Sequence, residues 1–389
     1  MAGPARLPRG IWILGFVSLF MDVSSEMIHS LLPVFMVSSL GASALAVGLV
    51  EGVAESTALI VKVFSGAISD YVGKRKALAV IGYALGALSK PLFALATTVN
   101  WVLVARFTDR IGKGIRGAPR DAMVADLAPP EMRGAAFGLR QSLDTVGAFL
   151  GPLLAIGLML LFAGDFRTVF WFAVIPAAIA VLLLVFGVEE RGRGAASRAT
   201  PAPIAWRSLG NLPRPYWLVV IAGGVFTLAR FSEAFLVLRA QERGLPDALA
   251  PLVFVLMNVV FAACAYPAGK LADRLGGRAL LAVGLGVLIG ADLVLAFAHG
   301  LASVALGVAA WGLHMGLTQG VLAAMVAASA PASLRGTAFG IFNLGCGVAM
   351  LAASALAGLL WDVLGPAATF LAGAGFALLA LMTIARAQP

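Results

Sequence analysis

Charged side chains sit inside long apolar stretches of this chain, at spacings that gather them on single helix faces. Asp22, Glu26 and His29 follow an i, i+4, i+7 pattern, and Glu51, Glu55 and Lys62 share a face of the next stretch. Arg140 and Asp144 stand at the i, i+4 separation of a helical ion pair. Arg106, Asp109, Arg110, Lys113, Arg116 and Arg120 occupy an arc of about 120° at helical pitch. Such a stripe cannot face lipid, because an ionised group at the bilayer centre costs at least ~2.5–3.5 kcal/mol. It must line a polar cavity or pack against acids.

These residue types suit two chemistries. A buried carboxylate can carry a proton, because burial favours its neutral form and neighbouring cations its ionised form, so its proton affinity follows conformation. An arginine can hold a carboxylate or phosphate through two parallel hydrogen bonds. The candidates for proton coupling are Asp22, Glu26, Glu55, Asp109 and Asp144. Those for substrate binding in the first half are His29, Arg106, Arg110, Lys113 and Arg140. Arg116 and Arg120, nearer the expected cytoplasmic end, are expected to face water or headgroups. A static alternative has Asp22, Glu26 and Glu55 neutralising Arg106, Arg110 and Lys113. The second half carries fewer charges: its substrate-binding candidates are Arg230 and Glu233 on one face, and Trp311, His314, Gln319 and Asn343 as apolar and hydrogen-bonding walls, while Asp292 stands alone in another stretch.

The elements that must position these groups are membrane helices. Apolar residues make up 61% of the 389-residue chain and charged residues 12%, a balance that would leave a soluble surface short of charge. Twelve stretches reach the length of about 20 residues that a bilayer crossing needs: 11–36, 45–69, 77–97, 101–124, 135–160, 168–187, 216–240, 248–271, 279–298, 302–328, 335–360 and 366–386. Short alternating strands are missing, which excludes a barrel. The net charge of +9 does not indicate nucleic acid. If the helices alternate, most basic residues, including Lys74–Lys76, Arg191, Arg193, Arg214, Lys270, Arg274 and Arg278, fall on one side; Arg167, Arg239 and Arg243 are expected in loops on the other. That asymmetry places both termini in the cytoplasm and the chain in the inner, cytoplasmic membrane. The first stretch, with Asp22 and Glu26, reads as a retained helix and not a cleaved signal. Cys264 and Cys346 lie within helices and imply neither a disulfide nor a zinc site.

The chain is also duplicated. Gly66, Asp70, Gly73 and Arg75 return as Gly269, Asp273, Gly276 and Arg278, joined by Arg274, at an offset of 203 residues. Arg133-Gly134-Ala-Ala-Phe137-Gly138 returns as Arg335-Gly336-Thr-Ala-Phe339-Gly340 at an offset of 202. Duplication in a membrane chain points to a secondary transporter. The expected division is a six-helix bundle over 1–188, a polar Gly- and Pro-rich cytoplasmic linker over 189–215, and a second bundle over 216–389.

With both loops and the linker in place, the chain resembles the major facilitator superfamily along its whole length. The resemblance implies an all-α polytopic membrane protein of twelve transmembrane helices in two six-helix bundles. It also implies that Asp70, Arg75 and their second copies join a cytoplasmic charge network that helps hold the outward-open state. Gly147, Gly151 and Pro152 resemble a fifth-helix signature of drug/proton antiporters, with Ala155 where a glycine is expected. Asp22-Val-Ser-Ser-Glu26-Met and Asp109-Arg110-Ile-Gly112-Lys113-Gly114-Ile-Arg116 resemble an uncharacterised prokaryotic branch, which names no substrate. The acidic first helix is similar to that of many proton-coupled relatives.

The function expected is proton-coupled export of an amphipathic or anionic compound by alternating access. The alternative is import of an organic anion or phosphate-bearing metabolite by symport. A minor one, prompted by His29 beside Met27 and by His314-Met315, is transport of a metal or metal complex. No enzymatic constellation is evident. The run Gly112 to Gly117 lacks the Gly-Lys-Ser/Thr ending of a phosphate loop, so ATP is not expected as the energy source. A small-molecule substrate, the lipid bilayer and the proton gradient are the expected partners, without cofactor, metal or nucleic acid, and a monomer is expected.

Overall fold

The structure, a computed structural model, describes residues 7–72, 74–189, 206–331 and 334–386. Its long elements are α1 (Arg9–Ser39), α2 (Ala44–Val72), α3 (Arg75–Ala94), α4 (Val99–Leu127), α5 (Arg133–Leu161), α6 (Phe166–Gly187), α7 (Arg214–Glu242), α8 (Leu252–Leu275), α9 (Gly277–Ala296), α10 (Leu301–Ser329), α11 (Arg335–Leu364) and α12 (Pro366–Arg386). Eleven of them contain a stretch long and apolar enough to cross a membrane. The twelfth, α4, has 29 residues, enough to span at about 1.5 Å per residue; its charge stripe, not its length, sets it apart.

Several helices are broken, and the sequence accounts for most of the breaks. Pro33 has no N–H for the His29 carbonyl, and α1 turns at Ser30–Leu31 before resuming as a short α and then a π segment. Pro176 does the same to Phe172 in α6, and the Ala173 carbonyl in that break accepts the Ser24 hydroxyl at 2.7 Å. In α7 the helix stops at Ala229 and restarts at Ala234, and the Ser232 N–H inside the gap donates to Ser354 Oγ of α11 at 3.2 Å. Gly320, at φ +78°, breaks α10.

The described residues pack as two compact units, residues 1–29 with 60–203, and residues 30–59 with 204–389. In the first unit α1 packs on α5 and α6, and α3 on α4 and α6; in the second the corresponding pairs are α7 with α11 and α12, and α9 with α10 and α12. One core of the first unit joins Ile11, Leu14, Val17 and Met21 of α1 to Ala79 and Tyr83 of α3 and to Ala177, Ala180 and Leu184 of α6. A core of the second joins Tyr216 and Val219 of α7 to Val326 of α10 and to Ala338 and Phe342 of α11. Segment 30–59, although it precedes the linker, clusters with the second unit, and Asp362 at the end of α11 is one reason. Its two carboxylate oxygens accept the Ala44 and Leu45 N–H groups at 3.0 and 2.9 Å, satisfying orphan donors in the first turn of α2. The linker residues 190–205 lie outside the described residues.

Candidate substrate and coupling site

In the first unit the charge stripe of α4 is held mainly from inside the protein. Asp109, 2% exposed, accepts Lys90 Nζ of α3 at 2.7 Å and Ser89 Oγ at 3.4 Å, with Arg110 Nε 3.7 Å away. Lys90, 1% exposed, also donates to Ser25 Oγ of α1 at 3.0 Å. A knot of α1, α3 and α4 therefore surrounds the acid. Arg106 and Arg110 are buried, whereas Lys113 is exposed.

Arg116 corrects an expectation. It is buried and not turned to water: its guanidinium stands 5.0 Å from the centre of the Tyr83 ring, a cation–π contact across α3 and α4. The close approach of these helices permits it, since a Cβ on Gly82 would lie 2.7 Å from the Gly112 carbonyl oxygen. Arg120 is half-buried and likewise turned inward, donating to Ser18 Oγ at 3.1 Å and to Asp121 Oδ1 at 3.1 Å.

The acids of α1 lie along the face that meets α5. A Cβ on Gly147 would stand 2.7 Å from Leu19 O and 3.0 Å from Asp22 Cβ; on Gly151 it would meet Glu26 Cβ and Val23 O at 2.8 Å. Small residues thus bring Asp22 and Glu26 against α5. Both acids are half-buried, and Glu26 lies 3.5 Å from His29 Nδ1. On α5 the expected pair is present: Arg140 donates to Asp144 Oδ2 at 2.6 Å, and also reaches Gln141 at 3.0 Å and Asp121 at 3.8 Å. Glu55 lies in the second unit, half-buried.

In the second unit Arg230 and Glu233 flank the break in α7, with the Arg230 guanidinium 5.8 Å from the Phe226 ring. Trp311 and His314 are fully buried. His314 donates Nδ1–H to Gly284 O at 2.8 Å; its Nε2 and the Trp311 Nε1 are buried with no hydrogen-bond partner. Gln319 is exposed at the break in α10, and Asn343 is half-buried on α11.

Of the loop motifs, Gly73 and the side chains of Asp70 and Asp273 lie outside the described residues. Arg75 is buried and pairs with Asp126 in the last turn of α4, also donating to Ala122 O at 3.3 Å. Gly66 lies 3.6 Å from Ala118 Cβ through its would-be Cβ, Gly269 is open, Gly276 adopts φ +82°, and Arg274 and Arg278 are exposed. A second correction concerns Arg239. It is not a loop charge: it is 2% exposed within α7 and donates to Leu295, Ala296 and Ala298 carbonyls at 2.9–3.3 Å, closing the C-terminal end of α9.

The sequence of the chain matches the Major Facilitator Superfamily over residues 14–344 and again over 235–389. The chain belongs to the Major Facilitator Superfamily. It is a multi-pass membrane transporter and not an enzyme. An uncharacterised superfamily transporter of Methanocaldococcus jannaschii is 32% identical over 385 residues, 96% of this chain and 94% of its own length. A multidrug resistance protein, MdtH, of Photorhabdus laumondii is 32% identical over 163 residues, 42% of this chain and 39% of its own. Among solved structures, a POT family transporter with a bound peptide conjugate superposes with TM-score 0.78 at 15% identity, covering 97% of this chain and 95% of its own. The human organic anion transporter MFSD10 does so with TM-score 0.66 at 20% identity, covering 97% of this chain and 99% of its own.

Sequence reasoning about this superfamily member missed Lys90, Asp121, Asp126 and Asp362. Lys90 was detectable, being a lone cation in an apolar span immediately before Pro91. The three acids gave no such signal, because helix-end acids usually face water and their partners come from other helices.

Proposed function

We infer that this protein is a proton-coupled secondary active transporter of the cytoplasmic membrane, with both termini in the cytoplasm. It exports a small amphipathic or anionic compound by alternating access of two six-helix bundles. The observation that carries this reading is the half-buried pair Asp22 and Glu26, set on α1 inside a membrane span and packed against Gly147 and Gly151 of α5. Carboxylates there, in a unit also holding Arg106, Arg110 and Arg116, change proton affinity whenever packing between helices changes. Efflux draws support from the likeness of part of the chain to a multidrug resistance protein. The basic stripe favours an anionic group on the substrate, and it equally suits the second reading, import of an organic or phosphate-bearing anion.

A thermal-shift screen of purified protein against organic anions, phosphate esters, cationic drugs and metal complexes at two pH values identifies the substrate class. Stabilisation by anions that disappears in Arg106→Ala or Arg110→Ala supports the anionic reading; stabilisation by amphipathic cations indifferent to both removes it. With a substrate in hand, Asp22→Asn and Glu26→Gln should fold at normal yield and lose pH-driven transport in proteoliposomes. Normal transport by both variants overturns proton coupling at α1.

A further inference from the structure

The two units repeat their packing at an offset of 202 residues. Gly82 of α3 packs against Gly112 and Arg116 of α4, and Gly284 of α9 packs against His314 and Thr318 of α10, position for position. The same offset carries Lys90 to Asp292 and Asp109 to Trp311. In the first unit these two positions hold a buried ion pair at 2.7 Å. In the second, an acid occupies the lysine position and an indole the aspartate position, so the acid faces an uncharged partner position.

Asp292 is 0% exposed, and both its carboxylate oxygens are buried without a hydrogen-bond partner. Its Oδ2 lies against Gly373 of α12, where a Cβ would approach to 2.7 Å, and the same Cβ would meet Phe231 at 2.8 Å. Phe231 in turn contacts the rings of Trp311 and Phe370. The helices around α9 supply no counter-charge among the described residues. On α10, His314 is engaged through Nδ1 with Gly284 O. On α7, Arg239 is engaged with three carbonyls and Glu242, while Arg230 stands over Phe226 and Glu233 lies at the helix break. On α8, Lys270 and Arg274 are exposed near the helix end, and α12 is uncharged until Arg386.

We propose that Asp292 is a proton-binding site of the second unit, occupied in the packed state described here and emptied when α9, α10 and α12 part enough to admit water. A metal ion does not fit: calcium or magnesium needs about six oxygen ligands, and this carboxylate lies against Gly373 with neither oxygen sharing a hydrogen bond. A proton satisfies one oxygen covalently and removes the charge, which is the least costly occupant of an apolar site. The inference deepens the proton-coupled reading by placing a second proton position outside the charge network of α1, α4 and α5.

The test is infrared spectroscopy of the full-length protein in lipid, carrying carboxyl-labelled aspartate and titrated from about pH 5 to about pH 10. A protonated-carboxyl band is expected at neutral pH, absent in Asp292→Asn, displaced in Asp292→Glu and retained in Asp22→Asn. Identical spectra of the parent and Asp292→Asn overturn the proposal. If Asp292→Asn does not fold, Asp292→Glu decides, since an unmoved band overturns it equally. The spectrum requires no transport substrate, so the two readings fail separately. A band at Asp292 without proton movement in proteoliposomes supports the site and removes only the coupled function.

Discussion

At the scale of single residues, the buried Lys90–Asp109 pair makes the clearest demand on the fold. Two charges removed from water are tolerated only together, and deleting one leaves the other unpaired. Lys90→Met is expected to destabilise the protein by about 3–5 kcal/mol, and a Lys90→Met/Asp109→Leu double variant to recover most of that loss. Denaturant titration in detergent would check both. Asp165 behaves differently, at the entrance to α6 and outside the membrane spans. Its carboxylate accepts the Thr168 hydroxyl at 2.5 Å and the Arg167 N–H at 3.0 Å, and the Thr168 bond, followed by burial acting in the opposite sense and by the backbone bonds, leaves it below its ordinary value. A depressed carboxylate stabilises the fold above its unfolded pKa and loses that contribution as pH falls. Asp165→Ala should therefore cost ~1 kcal/mol at neutral pH, and the difference from the parent should close in acid. A constant difference at every pH would show that the cap acts without its charge.

At the scale of elements, α5 presents two kinds of glycine in one helix. Gly147 faces α1 so closely that a Cβ would overlap the Leu19 carbonyl, whereas nothing lies within 4 Å of the Cβ direction of Gly157. Gly147→Val is expected to cost about 1–3 kcal/mol through overpacking, and Gly157→Ala nothing. Melting temperatures of the two variants separate a packing role from a general helix preference. The end of α2 makes a similar case. Asp362→Ala removes acceptors from two orphan N–H groups and should loosen the docking of α2 on α11 by ~0.5–2 kcal/mol. Faster hydrogen exchange confined to Ala44, Leu45 and the next turn would report it, and unchanged exchange would refute it.

For the molecule as a whole, duplication preserved the packing order while charge diverged. Corresponding helix pairs recur in both units, yet the first is laced with ion pairs and the second is walled by Phe226, Phe231, Trp311 and Phe370. The proposed topology, with the linker in the cytoplasm, rests on the positive charges in its sequence, and labelling tests it directly. A cysteine replacing Ala195, in a variant lacking Cys264 and Cys346, should react with an impermeant maleimide only in inverted vesicles. One replacing His299 should react only in right-side-out cells. The reverse pattern would invert the orientation.

Hydrophobic runs, the double loop motif and the 202-residue echo determined the helices, their order and the family, because bilayer crossing imposes length and polarity on each segment separately. Facing positions within one helix were legible for the same reason, and Arg140–Asp144 is the pair read correctly from spacing alone. What the sequence left open was partnership between helices. Nothing along the chain says that Lys90 meets Asp109, that Arg116 turns inward onto Tyr83, that Arg239 closes α9, or that Asp292 meets no cation. Those facts depend on which faces lie together in three dimensions, and for buried charges the identity of the neighbour determines whether a group anchors the fold or remains free to bind a proton.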